Sequence, residues 1–593
     1  MPFLHFNLQR GSKLEERQKY YVDEKSPWFL PEAGWPDGVP RNFDFPCITL
    51  YEMLSESANT YPELPAAWFL GSFMTYGRLL ERVKAAASGL YRLGIRKGDV
   101  LALILPSSFQ FLVLYYACAR LGIIVTGVNP TLKPAEIAFQ LKKFPRLSVA
   151  ILDALYEPLI APVSKRLDIR NIISTNIADM LEISPLKKWL GMRLKKIPKG
   201  RVPEEAVAFL SLFKSPIQEI EGHVTGHDTA AYLMTGGSTG TPKATVLTHF
   251  NCVSNAIQVS LWIRTRKPGA CMVGVIPLFH SFGMSAVMNA TIYSSMWMML
   301  FPRPPETDEL LKTICRIAPD NQTYFPGVEI LFKRIAESED LGRYPAGRKI
   351  RGCISGAGPL REDVKLKFEA NVGAPLLEGY GLTEASPVVS GGPLSGVHTT
   401  GTIGLPLTGM EWKIMDLETC TRELGPGERG ELVITGPTIM KEYLDEPEET
   451  ADAVMVRDQR RWLRTGDIGS MDELGRVALL DRKKQLIKVK GLSVFPREVE
   501  ELLAMNRMVA DVAVAGVPDK ETGEAVKAWV VPREAEGESL TREALIDWCR
   551  RSMSNYKVPA HIEFIDEIPR NNLGKVMRKE LARNDPLSVR TNA

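Results

Sequence analysis

Stretches with apolar residues at helical spacing alternate with short, continuous apolar runs through the first part of the chain. Helical spacing predicts amphipathic helices, and short continuous runs are typical of buried strands. The predicted helices are 76–93, 109–121 and 134–142, and the predicted strands are 100–105, 123–128 and 148–152. This alternation indicates α/β units on mainly parallel sheets.

The pattern changes twice towards the C-terminus. Residues 401–439 contain short strands and glycine turns, which predict a small β-rich region. After Asp481, predicted helices and strands are mixed over a length that suffices for a small domain. We therefore predict an α/β fold with a large N-terminal domain, residues 1–481, whose β-rich part covers about 401–481, and a small, mobile α+β C-terminal domain, residues 482–593.

Composition narrows the class of protein. The chain has 593 residues, which is too long for one hydrophobic core, and its net charge of +3 gives no reason to expect a nucleic acid partner. Its eight cysteines are scattered without a Cys-x-x-Cys pair, which fits a reduced, cytoplasmic protein and argues against a zinc site. The apolar stretches 100–128 and 285–301 are interrupted or short, so neither is expected to span a membrane.

A basic segment interrupts the α/β pattern between residues 185 and 220. Its cations lie among prolines and apolar residues: Lys187, Lys188, Arg193, Lys195, Lys196, Lys199 and Arg201. Two interpretations stay open, and we favour a solvated connecting region. The alternative is peripheral contact with the anionic inner face of the membrane, since basic amphipathic stretches bind such surfaces.

The most informative segment is a glycine- and hydroxyl-rich loop that ends in a lysine. Its members are Thr235, Gly236, Gly237, Ser238, Thr239, Gly240, Thr241, Pro242 and Lys243. Glycines allow close backbone approach to a ligand, and successive N–H groups in such a turn form an anion nest. Strand-like runs at 230–234 and 244–247 bracket the loop, which favours a held turn over a flexible linker. We expect it to bind a nucleoside triphosphate, although Pro242 and Ala244 exclude a Walker A motif.

Six further segments follow this loop in a fixed order. They are PLFHSFG at 277–283, SGAGPL at 355–360, EGYGLTE at 378–384, WLRTGD at 462–467, DRKKQLIKVKG at 481–491 and PRNNLGK at 569–575. Together with the loop they resemble the adenylate-forming superfamily, and within it the acyl-CoA synthetases, over about residues 50–583. The basic segment around 190–201 is also similar to bacterial medium- and long-chain fatty-acid–CoA ligases.

The resemblance implies a two-step ligase. A carboxylate attacks the α-phosphorus of ATP to give acyl-AMP and pyrophosphate, and the thiol of coenzyme A then displaces AMP. ATP and coenzyme A are the implied cosubstrates and Mg²⁺ the implied metal ion. The partners would be small molecules, and the sequence leaves the oligomeric state open between monomer and homodimer.

The resemblance also assigns roles by position. The loop from Thr235 to Lys243 would hold the β- and γ-phosphates, Glu384 would bind Mg²⁺, and Thr383 would lie near the α-phosphate. The adenine and ribose would contact Gly356, Ala357, Tyr380, Gly381, Asp467 and Arg482. Lys575 would bridge the carboxylate and α-phosphate, and His280 would close the acyl site. Lys484 stands at the hinge position, and Lys488 and Gly491 lie on the implied path of coenzyme A.

The acyl substrate is predicted from the segments that line the pocket in related enzymes. These give Phe282, Met284, Tyr324, Phe325, Pro326, Gly327, Ala385 and Ser386, an apolar set with several small residues. No acidic residue flanks His280, which disfavours an amino-acid substrate. We predict a medium- or long-chain fatty acid. An alicyclic or aromatic acid, a fatty-acyl-AMP ligase that donates to a carrier protein, and a silent binding protein are the alternatives.

Overall fold

The computed structural model describes most of the chain. It covers residues 17–214, 216–218, 223–235, 242–264, 268–394, 399–489, 492–519, 521–533, 540–571 and 574–589. Five sheets contain the strands of these residues. Within the described part, no helix is both long and apolar enough to cross a bilayer.

Two large, mainly parallel sheets contain the strands between Pro65–Phe69 and Leu405–Pro406, together with Glu442–Tyr443. The first has the order Glu442–Tyr443, Lys243–Thr248, Thr229–Thr235, Ile124–Gly127, Val100–Ile104, Leu147–Leu152, Ile169–Thr175 and Val207–Ala208. The second has the order Leu405–Pro406, Val388–Gly391, Leu376–Gly381, Ile350–Ser355, Thr323–Gly327, Cys271–Gly274, Trp297–Leu300, Pro65–Phe69 and Ser72–Thr75. The predicted α/β class is confirmed.

Helices cover the strands and connect them. Those of eight or more residues are Leu50–Thr60, Tyr76–Arg92, Phe109–Leu121, Pro134–Leu141, Pro185–Arg193, His249–Ile263, Thr307–Ile317, Glu329–Ala336, Glu362–Val372, Pro496–Ala504 and Arg542–Ser552. The shorter ones include Ala290–Tyr293, Pro447–Ala453, Arg578–Asn584 and Pro586–Val589. Hydroxyl side chains begin several of them, and Thr75 and Ser108 cap the helices that follow them.

The buried helix Phe109–Leu121 packs in the main core, together with residues of both large sheets. Successive strand residues point to opposite faces, so Leu101 and Leu103 belong to the main core while Ile104 belongs to a separate cluster. The main core also contains Met298 of the second sheet and nearly all of helix Phe109–Leu121. That helix is apolar on all sides because it is enclosed on all sides.

Two smaller sheets follow. The β-rich part pairs Glu411–Met415, Arg429–Thr435, Arg460–Met471 and Val454–Arg457, with Val477–Arg482 added to Arg460–Met471. The last sheet pairs Leu492–Val494, Ile487–Val489, Gly523–Pro532 and Val509–Asp519, with His561–Phe564 added to Gly523–Pro532. The change of sheet falls between Arg482 and Ile487, which encloses the predicted hinge at Lys484.

Candidate active site

Three neighbouring parallel strands bring the second glycine turn and the EGYGLTE motif to one edge of the second large sheet. Gly327 pairs with Ser355, and Ser355 pairs with Glu378 on the next strand. The carboxyl ends of parallel strands meet at the same edge, where α/β sheets bind ligands. Gly356, Ala357 and Tyr380 therefore lie at a ligand-binding edge.

The backbone at this edge is closely packed. The N–H of Gly356 donates to the carbonyl of Gly327 at 3.0 Å, and a Cβ at Gly356 would lie 3.0 Å from the ring of Phe282. A Cβ at Gly381 would lie 2.0 Å from the carbonyl oxygen of Pro387. The candidate adenine wall thus contacts the candidate acyl site through Phe282.

Asp467 forms the centre of a charged cluster opposite this edge. Its side chain is buried, the hydroxyl of Tyr380 donates to Oδ2 at 2.6 Å, and Nε of Arg482 lies 2.8 Å from Oδ1. Burial, and then the charge of Asp467, raise the pKa of Tyr380, so its hydroxyl stays protonated. Both carboxylate oxygens keep further acceptor sites, which suits a ligand with two neighbouring hydroxyls.

Tyr443 contacts both Glu384 and Lys243. Lys243 ends the loop 235–243 that the sequence predicts to hold phosphates, called the phosphate loop below. The Tyr443 hydroxyl donates to Oε1 of Glu384 at 2.8 Å, and Nζ of Lys243 lies 5.2 Å from the centroid of the Tyr443 ring. Lys243 is also 3.6 Å from Glu449. Tyr443 and Glu449 were missed from the sequence because they belong to none of the motifs.

The two ends of the phosphate loop pair across a hairpin. Thr235 lies opposite Lys243, so the apolar runs around the loop are antiparallel strands, as a held turn requires. Nζ of Lys143 donates to the carbonyl of Pro242 at 3.2 Å and adds a second cation at the loop. Gly236, Gly237, Ser238, Thr239 and Gly240 lie outside the described residues.

The segment that contains His280 contacts the EGYGLTE motif. The hydroxyls of Ser281 and Thr383 are 3.1 Å apart. The N–H of Phe282 donates to Nδ1 of His280 at 3.2 Å, and burial lowers the pKa of His280 to about 4. His280 is therefore neutral near pH 7 and acts as an uncharged aromatic side chain.

Lys575 lies in the C-terminal region, four residues after Asn571. The side chain of Asn571 accepts the N–H of Lys575 at 3.0 Å, and a Cβ at Gly574 would lie 3.2 Å from Cγ2 of Ile330. Removal of water from its ammonium group lowers the pKa of Lys575 to about 8, and Arg482 adds to the shift. The negative charges of Asp467 and Glu384 oppose this lowering of the Lys575 pKa.

Ionic contacts hold the turn around Lys484, which is Lys483–Gln485. Nζ of Lys483 lies 3.0 Å from Glu431 of the β-rich sheet. On the other side, Nη1 of Arg578 donates to Oε1 of Gln485 at 3.3 Å. The backbone N–H of Lys488 donates to Glu524 at 2.6 Å, and Gly491 lies outside the described residues.

Comparisons with known proteins identify the family of the chain. A family profile described as AMP-binding enzyme matches residues 54–444, and one described as AMP-binding enzyme C-terminal domain matches residues 498–575. The chain belongs to the AMP-binding enzyme family. The predicted superfamily, and with it the acid–thiol ligase class, is confirmed.

Individual relatives match over nearly the whole chain. A long-chain-fatty-acid–CoA ligase of Bacillus subtilis is 34% identical, over 94% of this chain and 98% of that protein. The 4-coumarate–CoA ligase 3 of Arabidopsis thaliana is 30% identical, over 93% of this chain and 92% of that protein. Among solved structures, ATP-bound MatB from Rhodopseudomonas palustris has a TM-score of 0.77 at 26% identity, over 91% of this chain and 98% of its own.

In this member of the AMP-binding family, an apolar cavity of about 600 Å³, partly open to solvent, adjoins the adenine wall. Phe282, Tyr324, Phe325 and Pro326, which the sequence analysis assigned to the acyl pocket, line it. Further lining residues are Val259, Trp262, Ile263, Met272, Ala286, Cys353, Ile354, Leu377, Val388, Leu394 and Leu407. Most of these lie outside the motifs and share only their apolar character.

Four pocket residues predicted from the sequence do not line this cavity. Met284 and Ala385 are buried in the main core, and Ser386 is buried with its hydroxyl donating to the carbonyl of Thr438 at 2.8 Å. A Cβ at Gly327 would point at the ring of Phe332, 2.7 Å away. Their assignment to the acyl site stays a prediction that this cavity does not support.

Proposed function

We propose that the protein activates a medium- or long-chain fatty acid with ATP and transfers the acyl group to coenzyme A. The observation that carries the proposal is the apolar cavity, whose wall residue Phe282 packs against Gly356. An apolar and aromatic lining of this kind is typical of sites that bury a largely apolar ligand. Its contact with the candidate adenine wall supports a position for one end of such a ligand beside the nucleotide.

The first step in this proposal joins two anions. A carboxylate oxygen of the acid bonds to the α-phosphorus, the bond from that phosphorus to the bridging oxygen breaks, and pyrophosphate leaves. Lys575 would neutralise the approaching oxygens, and the loop ending in Lys243 would hold the leaving phosphates. Asp467 and Arg482 would fix the ribose. Such positioning can remove about 7–11 kcal/mol of the barrier.

The second step requires a different arrangement. The thiol of coenzyme A loses its proton to water, its sulfur bonds to the acyl carbon, the bond from that carbon to the AMP oxygen breaks, and AMP leaves. We propose that rotation at Lys484 between domains 1–481 and 482–593 removes Lys575 and brings Lys488 and Gly491 to the acyl carbon. The separate sheets on either side of Lys484 support a hinge at this position.

We propose Glu384 as the Mg²⁺ ligand. Its carboxylate offers the hard oxygen that this ion prefers, and Mg²⁺ commonly binds one or two carboxylates together with substrate phosphates. The described residues contain no cluster of three or more side chains that would form an all-protein metal cage, which fits that mode. When bound, the ion would neutralise charge on the phosphates.

A specific observation keeps an aromatic acid as second candidate. Trp262, Phe282, Tyr324 and Phe325 give the cavity four aromatic walls, which would also suit a ring. The test is kcat/KM over saturated acids from butanoate to octadecanoate, beside benzoate and 4-coumarate. The proposal expects the highest value in the medium- or long-chain range, and a higher value for an aromatic acid would contradict it.

Fatty acids of this length dissolve in bilayers, so the proposal includes peripheral contact with the inner face of the membrane.

A further inference from the structure

The helix Pro185–Arg193 exposes a stripe of large apolar side chains. The exposed fractions of Leu186, Trp189, Leu190 and Leu194, just past the helix, are 71%, 54%, 46% and 57%. The spacings of three, four and eight residues place all four on one side of the helix. A surface helix normally turns such a stripe towards the core, and this one turns it towards solvent.

The helix is anchored to the fold by its other side. Ser184 caps it by accepting the N–H of Lys187 at 3.3 Å, and Nζ of Lys188 lies 2.8 Å from Asp179. After the helix, Nδ2 of Asn176 donates to the carbonyl of Pro198 at 2.7 Å. Because these contacts lie away from the stripe, the apolar side chains are displayed by a defined surface element.

Positive charge surrounds the stripe. Residues 185–201 contain seven lysines and arginines and no acidic residue, whereas the whole chain carries a net charge of only +3. Lys188 is paired with Asp179, and Arg193 lies 5.2 Å above the ring of Trp189. A partner that fits this face therefore has an apolar interior under a negatively charged surface.

We propose that 185–201 docks the protein on an anionic lipid surface. Tryptophan favours the boundary between headgroups and acyl chains, and stable attachment usually needs an apolar insertion together with a basic patch. Leu186, Trp189, Leu190 and Leu194 supply the insertion, and the cations supply the patch. The exposed apolar stripe therefore favours membrane contact over a solvated connecting region for this segment. The inference concerns attachment and does not depend on which acid the active site accepts.

The test is sedimentation of the full chain with vesicles of equal parts phosphatidylglycerol and phosphatidylcholine, or of phosphatidylcholine alone. We expect binding to the anionic vesicles that weakens with salt. Leu186→Ser with Leu190→Ser should lower partitioning at least tenfold. Lys195→Gln with Lys196→Gln should lower it roughly 10- to 30-fold, because each cation near such a surface contributes on the order of 1 kcal/mol.

The matched control is Leu366→Ser, which removes another exposed leucine from the surface of helix Glu362–Val372. It should bind vesicles like the wild type. Unfolding temperatures of all variants should agree, since each changed side chain is exposed. Wild-type protein that ignores anionic vesicles, or leucine variants that bind them unchanged, would overturn the inference. A concentration-dependent dimer that only the leucine variants lose would also overturn it, since a second copy would then cover the stripe.

Discussion

The carboxylate of Asp481 accepts a hydrogen bond of 2.8 Å from the backbone N–H of Arg497. Asp481 lies in the strand Val477–Arg482 of the β-rich sheet, and Arg497 is in the first turn of helix Pro496–Ala504, beyond the Lys484 turn. The negative charge lies at a helix N-terminus, where unpaired N–H groups and the helix dipole favour it. One side chain therefore links the two sides of the proposed hinge in this orientation.

We expect Asp481→Asn to slow acyl-AMP formation more than thioester formation. The neutral amide of asparagine keeps a weaker hydrogen bond in the orientation that brings Lys575 to the site, because hydrogen bonds to charged groups contribute about 1.5–3 kcal/mol and neutral ones about 0.5–1.5 kcal/mol. Single-turnover measurements should show adenylation slowed roughly 3- to 10-fold, with transfer from preformed acyl-AMP unchanged or faster. Asp547→Asn, at an exposed aspartate, is the control. Equal slowing of both steps would argue against an orientation-specific link.

Lys575→Ala should abolish acyl-AMP formation and leave thioester formation from acyl-AMP intact. Loss of a preorganised charge beside the reacting oxygens typically costs a factor of about 100 to 1,000. Pyrophosphate release should fall by at least that factor, while added acyl-AMP should still be converted to thioester. Lys312→Ala, at an exposed lysine of helix Thr307–Ile317, should leave both steps unchanged. If both half-reactions were lost together, Lys575 would not have separate roles in them.

The pH dependence of adenylation should reveal the same lysine. Because the pKa of Lys575 is lowered to about 8, the ammonium form is lost as the pH rises through that value. The kcat/KM of adenylation, which reports the free enzyme, should fall above about pH 8, and thioester formation should lack this fall. Lys575→Arg keeps its charge at all these pH values, so its residual activity should lose the alkaline fall. An unchanged alkaline fall in that variant would assign the ionisation to another group.

Tyr443→Phe should raise the Mg²⁺ concentration that adenylation requires. The substitution removes the 2.8 Å hydrogen bond to Glu384 but keeps the ring near Lys243. Loss of a group that orients a metal ligand commonly weakens metal binding by about 10- to 100-fold. A Mg²⁺ titration at saturating ATP should show the shift, with Tyr232→Phe, on the strand Thr229–Thr235 of the same sheet, as control. An unchanged Mg²⁺ requirement would show that Tyr443 does not contribute to metal binding.

Local sequence predicted the regular elements closely. The predicted helix 76–93 is Tyr76–Arg92, and the predicted strand 100–105 is Val100–Ile104. These boundaries follow from side-chain periodicity and from turn residues that lie beside the elements they end. The hairpin around the phosphate loop was predictable for the same reason.

The links between motifs were not predictable from local pattern. Tyr443 contacts Glu384 across 59 residues, and nothing in its own surroundings marks it. Around the apolar cavity, Phe282 and Ala286 are four residues apart, about one helical turn, and both line the cavity, whereas Met284 between them does not. A sequence motif indicates which segment lies near the cavity. The backbone conformation of that segment determines which of its side chains line the cavity, and the motif does not reveal this.

The most direct test of the account measures AMP and acyl-CoA together in one reaction with ATP, Mg²⁺, coenzyme A and hexadecanoate. The account predicts that AMP and hexadecanoyl-CoA form in equal amounts, and that without coenzyme A the reaction stops near one acyl-AMP per active site. AMP formation at the same rate without coenzyme A, with no thioester when it is present, would contradict it.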